Sequence, residues 1–110
     1  MYAARPIIED KVNEVRATRK KEKYEYNGPF KANVAFCNMY ANAAECVGYH
    51  ADQLTYLGPH PIIASLSLGC EREFRIRKME PGVKNADTAS APIGIHLPHN
   101  SLLSNIVVVV

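Results

Sequence analysis

Hydrophobic positions recur along this chain in two rhythms, helical near the start and strand-like thereafter. Ile8, Val12 and Val15 fall at offsets of four and seven, the spacing of one helix face. Pro6 suits a first helical turn, where its missing N–H is no loss, so residues 6–23 read as a helix. Glu9 and Asp10 would then stand near the positive end of the helix dipole, and the basic residues of the last turns near the negative end. Tyr24-Glu25-Tyr26 predicts a short strand closed by the turn signal Asn27-Gly28-Pro29.

From residue 32 the period is two. Val34, Phe36, Asn38 and Tyr40 share one face of a strand over 32–40, so a polar amide and a phenol point the same way as two large apolar groups. Such a face suits the inner wall of a ligand-holding barrel, and equally a strand end with an amphipathic core tyrosine. Residues 45–49 predict a second strand, and 54–60 a loop with a Gly58-Pro59 turn. The nearly continuous apolar run 62–68 predicts a strand buried on both faces and ended by Gly69. Residues 72–78 alternate again, with Phe74 and Ile76 inward and Glu73, Arg75 and Arg77 outward. A polar loop over 79–92 leads to a strand through Ile93, Ile95 and Leu97, a turn at Pro98-His99-Asn100, and a last strand over 101–110. One helix followed by short, evenly spaced strands predicts a mainly β sandwich or barrel with a helical support. No internal repeat interrupts this plan, and the 79–92 loop is a connection rather than a domain boundary.

Composition narrows the class. The chain has 110 residues, 47% hydrophobic, enough for one domain or part of one with little core to spare. A net charge of +2 does not by itself mark a nucleic-acid binder. The basic residues are nevertheless clustered, at Lys11, Arg16, Arg19, Lys20, Lys21 and Lys23 and again at Arg72, Arg75, Arg77 and Lys78. A solvated face and a binding face both explain such runs. Cys37, Cys46 and Cys70 are odd in number and lack metal-like spacing, which favours reduced thiols in an intracellular protein, of nucleus or cytoplasm. The start has no long apolar run of a secretory signal, and the longest apolar run, 106–110, is too short to span a bilayer, so no membrane partner is expected.

His50 and Asp52 carry the candidate chemistry. Two side chains two residues apart at a strand end point into one cavity, and imidazole with carboxylate is the donor mix of a facial iron(II) site. Alone, a His-x-Asp pair could equally be two surface residues beside a loop.

The ordered set of motifs is more specific. Asn38-Met39-Tyr40, His50-Ala51-Asp52, the run from Pro61 to Gly69, the basic strand from Arg72 to Lys78, and Leu97-Pro98-His99-Asn100-Ser101-Leu102-Leu103 together resemble the AlkB-like iron(II), 2-oxoglutarate-dependent dioxygenases. The likeness covers about residues 32–103, with a looser match in the helix before. It implies an incomplete double-stranded β-helix, or jelly roll, with a helix and lid-like segment over 1–31 and jelly-roll strands over 32–110. It implies iron(II) held by His50 and Asp52, and 2-oxoglutarate contacted by Asn38 and Tyr40, with all four lining one cavity. Tyr24-Glu25-Tyr26-Asn27-Gly28 resembles the tip of the family's substrate lid, so Tyr24 or Tyr26 is expected to stack on a base and Arg75 or Arg77 to hold phosphates; Gln53 completes the expected substrate contacts. The implied reaction is oxidative dealkylation of a flipped-out, N-alkylated nucleic-acid base.

Departures from the family pattern qualify this. No His or Arg follows Leu103 to match the family's third iron ligand and its arginine for the far carboxylate of 2-oxoglutarate. His99 reads as a turn residue, and Gln53 replaces an acidic residue frequent in DNA-repairing relatives. The chain as written is therefore expected to be an inactive or impaired enzyme, and a poor monomer because of open strand edges and the β-branched run 106–110. The alternatives are an oxygenase for a substrate other than nucleic acid, and a non-catalytic barrel remnant serving as an interaction module.

Overall fold

The computed structural model describes residues 3–21, 23, 25–52, 54–57, 61–78 and 91–106. The order is α1 (Ala4–Thr18), α2 (Leu54–Leu57), β1 (Ile62–Ser67), β2 (Arg72–Ile76), β3 (Ile93–Leu97) and β4 (Ser101–Ile106). The chain divides into two units, Met1–Ile62 and Ile63–Val110. It is a small protein of one substantial helix and paired strands. Among the described residues, no helix is long and apolar enough to cross a membrane.

The first unit is built on α1. This helix starts two residues earlier than expected and ends five earlier, at Thr18, because Arg19 is extended (φ −105, ψ 158). Leaving the helix, Arg19 donates to Glu25 (2.7 Å). Glu9 and Asp10 fall beyond the first turn, so neither serves the dipole as expected. The buried face also differs. Val12 is buried, but Val15 is 58% exposed, and the second buried side chain is Arg16.

Glu9, Asn13 and Arg16, spaced four and three apart, form a polar stripe beside Val12 that binds the backbone of the returning chain. The Ala32 N–H donates to Glu9 (2.8 Å). Asn13 pairs with both backbone groups of Phe30, accepting from its N–H (2.8 Å) and donating to its carbonyl (3.1 Å). Arg16 donates to the carbonyls of Tyr26 (2.6 Å) and Gly28 (3.0 Å). Successive helical turns thus satisfy successive backbone groups of residues 26–32 running the other way, in place of a strand ladder.

No strand forms over 25–26, 32–40 or 45–49, contrary to the alternation. These stretches lack a ladder partner among the described residues, and Phe36 and Met39 are 89% and 87% exposed. A period-two pattern becomes a strand only when another strand pairs with it. The expected loop at 54–60 begins instead with the single helical turn α2, and 58–60 lie outside the described residues.

The second unit follows the sequence reading closely. β1 pairs with β4 and β2 with β3, nested, so the two ladders are consecutive stretches of one two-stranded ribbon. β2 and β3 are antiparallel, with Phe74 opposite Ile95 and Ile76 opposite Ile93 on one face and Glu73 opposite His96 on the other. Phe74 and Ile76 take the face apart from Glu73 and Arg75 but are still 40% and 45% exposed. The run 62–67 is half-buried, and Leu66 is exposed, so it is not enclosed on both faces. The ribbon is interrupted at Gly69 (φ 98) and at the Pro98–Asn100 turn, where Asn100 has φ 63. Both are left-handed conformations, natural to Gly and tolerated by Asn. Two bonds tie the interruptions together: the Asn100 N–H donates to the Ser67 carbonyl (2.7 Å), and the Gly69 N–H to His99 Nδ1 (2.9 Å). The 79–90 loop and residues 107–110 lie outside the described residues.

Candidate functional site

His50 and Asp52 sit on irregular backbone just before α2, half-exposed, with His50 Nε2 3.6 Å from Asp52 Oδ1. His50 Nδ1 lies 2.8 Å from the Gly48 carbonyl. A carbonyl only accepts, so Nδ1 carries the hydrogen, and in the neutral ring Nε2 is the lone-pair nitrogen. That lone pair faces a carboxylate oxygen. Two such donors close together repel unless a proton or a cation lies between them. Cis ligands about 2.1 Å from a first-row metal stand about 3 Å apart. The pair therefore fits two adjacent positions of an iron(II) site after a small closure, and the Gly48 carbonyl would hold the imidazole in the tautomer that ligates through Nε2. Among the described residues, no group of three or more His, Cys, Asp or Glu is placed to hold a metal.

Asn38 and Tyr40 line an open hollow of about 510 Å³, within the range of small-ligand sites. Its formation is local. Asn42 and Glu45 build a reversal: the Ala44 N–H donates to Asn42 Oδ1 (2.9 Å) and the Ala41 N–H to Glu45 Oε2 (2.7 Å). The reversal sets residues 37–40 against 44–47, and Cys37, Met39, Cys46 and Val47 form the remaining walls. His50 and Asp52 do not line this hollow. The structure thus brings together Asn38 with Tyr40, and His50 with Asp52, but not all four in one cavity as expected. The alternation that would merge them requires paired strands over 32–40 and 45–49, and those strands do not form.

Tyr26 is 58% exposed, with its carbonyl held by Arg16. Its ring overlies Gly28, where any Cβ would overlap the phenol. Arg75, in the second unit, donates through Nε (2.9 Å) and a terminal nitrogen (2.7 Å) to Glu73 Oε2. This neighbour holds the Glu73 carboxyl below the usual carboxylate range. His96 Nδ1 lies 3.1 Å from Glu71, and His99 is committed to the Gly69 N–H at its turn. Tyr24, Gln53 and His60 lie outside the described residues.

Sequence reasoning missed the ion pair between Arg16 and Glu25 (3.1 Å), whose side chains are 7% and 1% exposed. The signal was present. Glu9, Asn13 and Arg16 share a helix face with Val12, which a reading of apolar residues alone passes over.

Comparison with known proteins bears on the whole arrangement. The profile of the 2OG-Fe(II) oxygenase superfamily matches residues 3–104. The chain belongs to this superfamily. Iron(II) and 2-oxoglutarate are the cofactors of these oxygenases, and Asn38, Tyr40, His50 and Asp52 all lie within the matched residues. The human alpha-ketoglutarate-dependent dioxygenase alkB homolog 3 is 40% identical over 84 residues, which is 76% of this chain and 29% of that protein. The mouse protein of the same name is 38% identical over the same share. A DNA oxidative demethylase of Arabidopsis thaliana is 46% identical over 46 residues, 42% of this chain and 15% of the relative. The chain thus spans under a third of the length of these oxygenases. No solved structure matches it significantly.

Proposed function

We propose that the chain supplies the first part of an AlkB-like dioxygenase that oxidatively dealkylates nucleic-acid bases inside the cell, in nucleus or cytoplasm. The observation that carries this reading is the approach of His50 Nε2 to Asp52 Oδ1, with Nδ1 committed to Gly48. It occurs in a chain of the 2OG-Fe(II) oxygenase superfamily. The names of the relatives, an alkB homolog dioxygenase and a DNA oxidative demethylase, support nucleic acid as the substrate class. The nested β1–β4 and β2–β3 ribbon is consistent with a stretch of jelly roll.

In this reading His50 and Asp52 would hold two positions of iron(II), and Asn38 and Tyr40 would orient 2-oxoglutarate once pairing of residues 32–40 and 45–49 joins their hollow to the metal pair. Tyr26 would stack on the base, and Tyr24, Gln53 and Arg75 stay candidate substrate contacts on the strength of the sequence alone. Iron(II) with 2-oxoglutarate and dioxygen supplies the oxidation of the N-alkyl carbon, which leaves as an aldehyde. The protein's own groups bind, orient and exclude water. The described residues bring two metal donors together, and on that ground we read these 110 residues by themselves as an inactive or impaired enzyme, with a non-catalytic interaction role as the second reading.

The test is iron-dependent succinate release and aldehyde formation with an oligonucleotide carrying one N-methylated base. The chain alone is expected to show little of either, and a version of the domain with a third histidine donor to show both. Turnover that survives loss of His50 would refute the metal assignment. A complete domain that releases succinate but no aldehyde from any alkylated oligonucleotide would leave the cofactor reading and remove the substrate.

A further inference from the structure

We propose that Arg16 is a positioning residue for substrate, because its buried guanidinium fixes the backbone that presents the Tyr26 ring to a flipped-out base. The inference rests on the reading of Tyr26 as a substrate contact. Arg16 is 7% exposed, so its donors go to the protein rather than to water. Nε donates to Glu25 (3.1 Å), one terminal nitrogen to the Gly28 carbonyl (3.0 Å) and the other to the Tyr26 carbonyl (2.6 Å). The guanidinium is a rigid planar fork, so two carbonyls held by one fork have fixed directions relative to each other. Those carbonyls bracket Asn27, so the chain from Tyr26 to Gly28 has one shape. Glu25 holds the fork itself and also accepts from Arg19 (2.7 Å).

The ring follows from the backbone. Gly28 has no side chain, and the Tyr26 phenol lies over it. The hydroxyl end of the ring is therefore seated against Gly28, while the residue stays 58% exposed. A seated aromatic with an open side is a stacking platform whose ordering is settled during folding rather than on binding. Stability alone does not explain the device. An apolar side chain beside Val12 would dock the same segment, and buried ion pairs are seldom better than well-packed hydrophobic replacements. What the fork adds is direction.

The test measures binding of the full chain to a short single-stranded oligonucleotide carrying one N-methylated base, by fluorescence anisotropy across a salt series. Tyr26→Ala is expected to weaken binding by about 5- to 150-fold, the range for losing one stacked base. Arg16→Lys keeps the charge and removes the fork, and should produce a similar loss with an unchanged salt slope, since no phosphate contact is removed. The double variant should bind no worse than Tyr26→Ala, the non-additivity of two residues acting through one ring. Losses that add, or parental binding by Arg16→Lys beside a weakened Tyr26→Ala, overturn the positioning role and leave Tyr26 as a contact. Parental binding by Tyr26→Ala removes the substrate reading of Tyr26 and this inference with it. Should Arg16→Lys fail to fold by circular dichroism, Gly28→Ala decides. It displaces the ring while keeping both the guanidinium and the Gly28 carbonyl that it holds, so a matching loss supports the proposal and parental affinity overturns it.

Discussion

Two parts of the first unit, adjacent in sequence, are held in opposite ways. Residues 4–32 are closed by their own side chains: the Glu9, Asn13 and Arg16 stripe meets the backbone of 26–32, and Arg16 and Glu25 bury their charges against each other. Residues 33–52 carry the candidate chemistry yet are exposed throughout, with bonds mostly within a few residues, such as Glu45 to Ala41 and His50 to Gly48. The first part contains the partners it needs within about thirty residues. The second has the alternation of a barrel strand, and its ladder partners are not among the described residues. A site built on the second part therefore inherits its geometry from contacts the first part does not provide.

The sharpest test of that contrast removes the metal donors. In a version of the domain that provides a third ligand, His50→Ala or Asp52→Ala should abolish 2-oxoglutarate turnover, because two remaining ligands leave an iron site without its facial set. Thermal unfolding should hardly move, since both side chains are half-exposed. Parental succinate release by either variant would sink the assignment. A large drop in stability would show that this part is not as loosely held as its exposure implies.

The opposite pattern is expected on the helical side. Glu25→Ala leaves Arg16 buried without its carboxylate, and breaking a buried pair from one side costs about 3–5 kcal/mol. Denaturant unfolding followed by helix signal should report a loss of this size. Replacing Lys11 or Glu14, an exposed pair on the same helix, should change little. If Glu25→Ala and Glu14→Ala behave alike, the clamp does not hold the segment.

What the sequence made legible divides along the same line. The strands at 62–67, 72–76, 93–97 and 101–106 and the turn at 98–100 were readable because each is a short alternating or apolar run bounded by Gly, Pro or Asn. The partner of β2 is β3, the next strand in sequence. The helix was readable as a helix but not in its buried face, because Arg16 and Asn13 act as core residues only when Glu25 and the 26–30 backbone arrive. The strands at 32–40 and 45–49 were expected on period alone, and period cannot say where the neighbour is. The proximity of His50 and Asp52 was legible from spacing, whereas the hollow of Asn38 and Tyr40 depends on the Asn42–Glu45 reversal, which the strand reading passed over.

A smaller effect would sharpen the reading of that hollow. Asn38→Ala in a turnover-competent version should weaken 2-oxoglutarate binding by about 2- to 12-fold, the equivalent of one ordinary hydrogen bond. The KM for an alkylated oligonucleotide should stay near parental, because the hollow does not include Tyr26. A shift confined to the oligonucleotide KM would move Asn38 from the co-substrate to the base.

The smallest effect expected is a pH step at the far end of the helical stripe. Glu9 accepts from Arg5 (2.8 Å) and from the Ala32 N–H (2.8 Å). Its carboxyl is held below the usual range, chiefly by the Arg5 hydrogen bond, then by the Ala32 N–H and the nearby Lys31 charge. A carboxylate whose folded value is depressed stabilises the fold fully above its unfolded value. That contribution is lost as pH falls through the lowered folded value. The Ala32 amide resonance should therefore keep its bonded position at neutral pH and titrate with a midpoint below the ordinary 4.5. Glu9→Gln should remove the step while leaving the Asn13 bonds to Phe30 intact, since those involve no titrating group. Higher salt should move the midpoint back toward the ordinary value, because the Arg5 side chain is half-exposed and its attraction is screened. An Ala32 amide that titrates at the ordinary carboxylate value, or not at all, would show that the helix does not reach the start of the exposed stretch through Glu9.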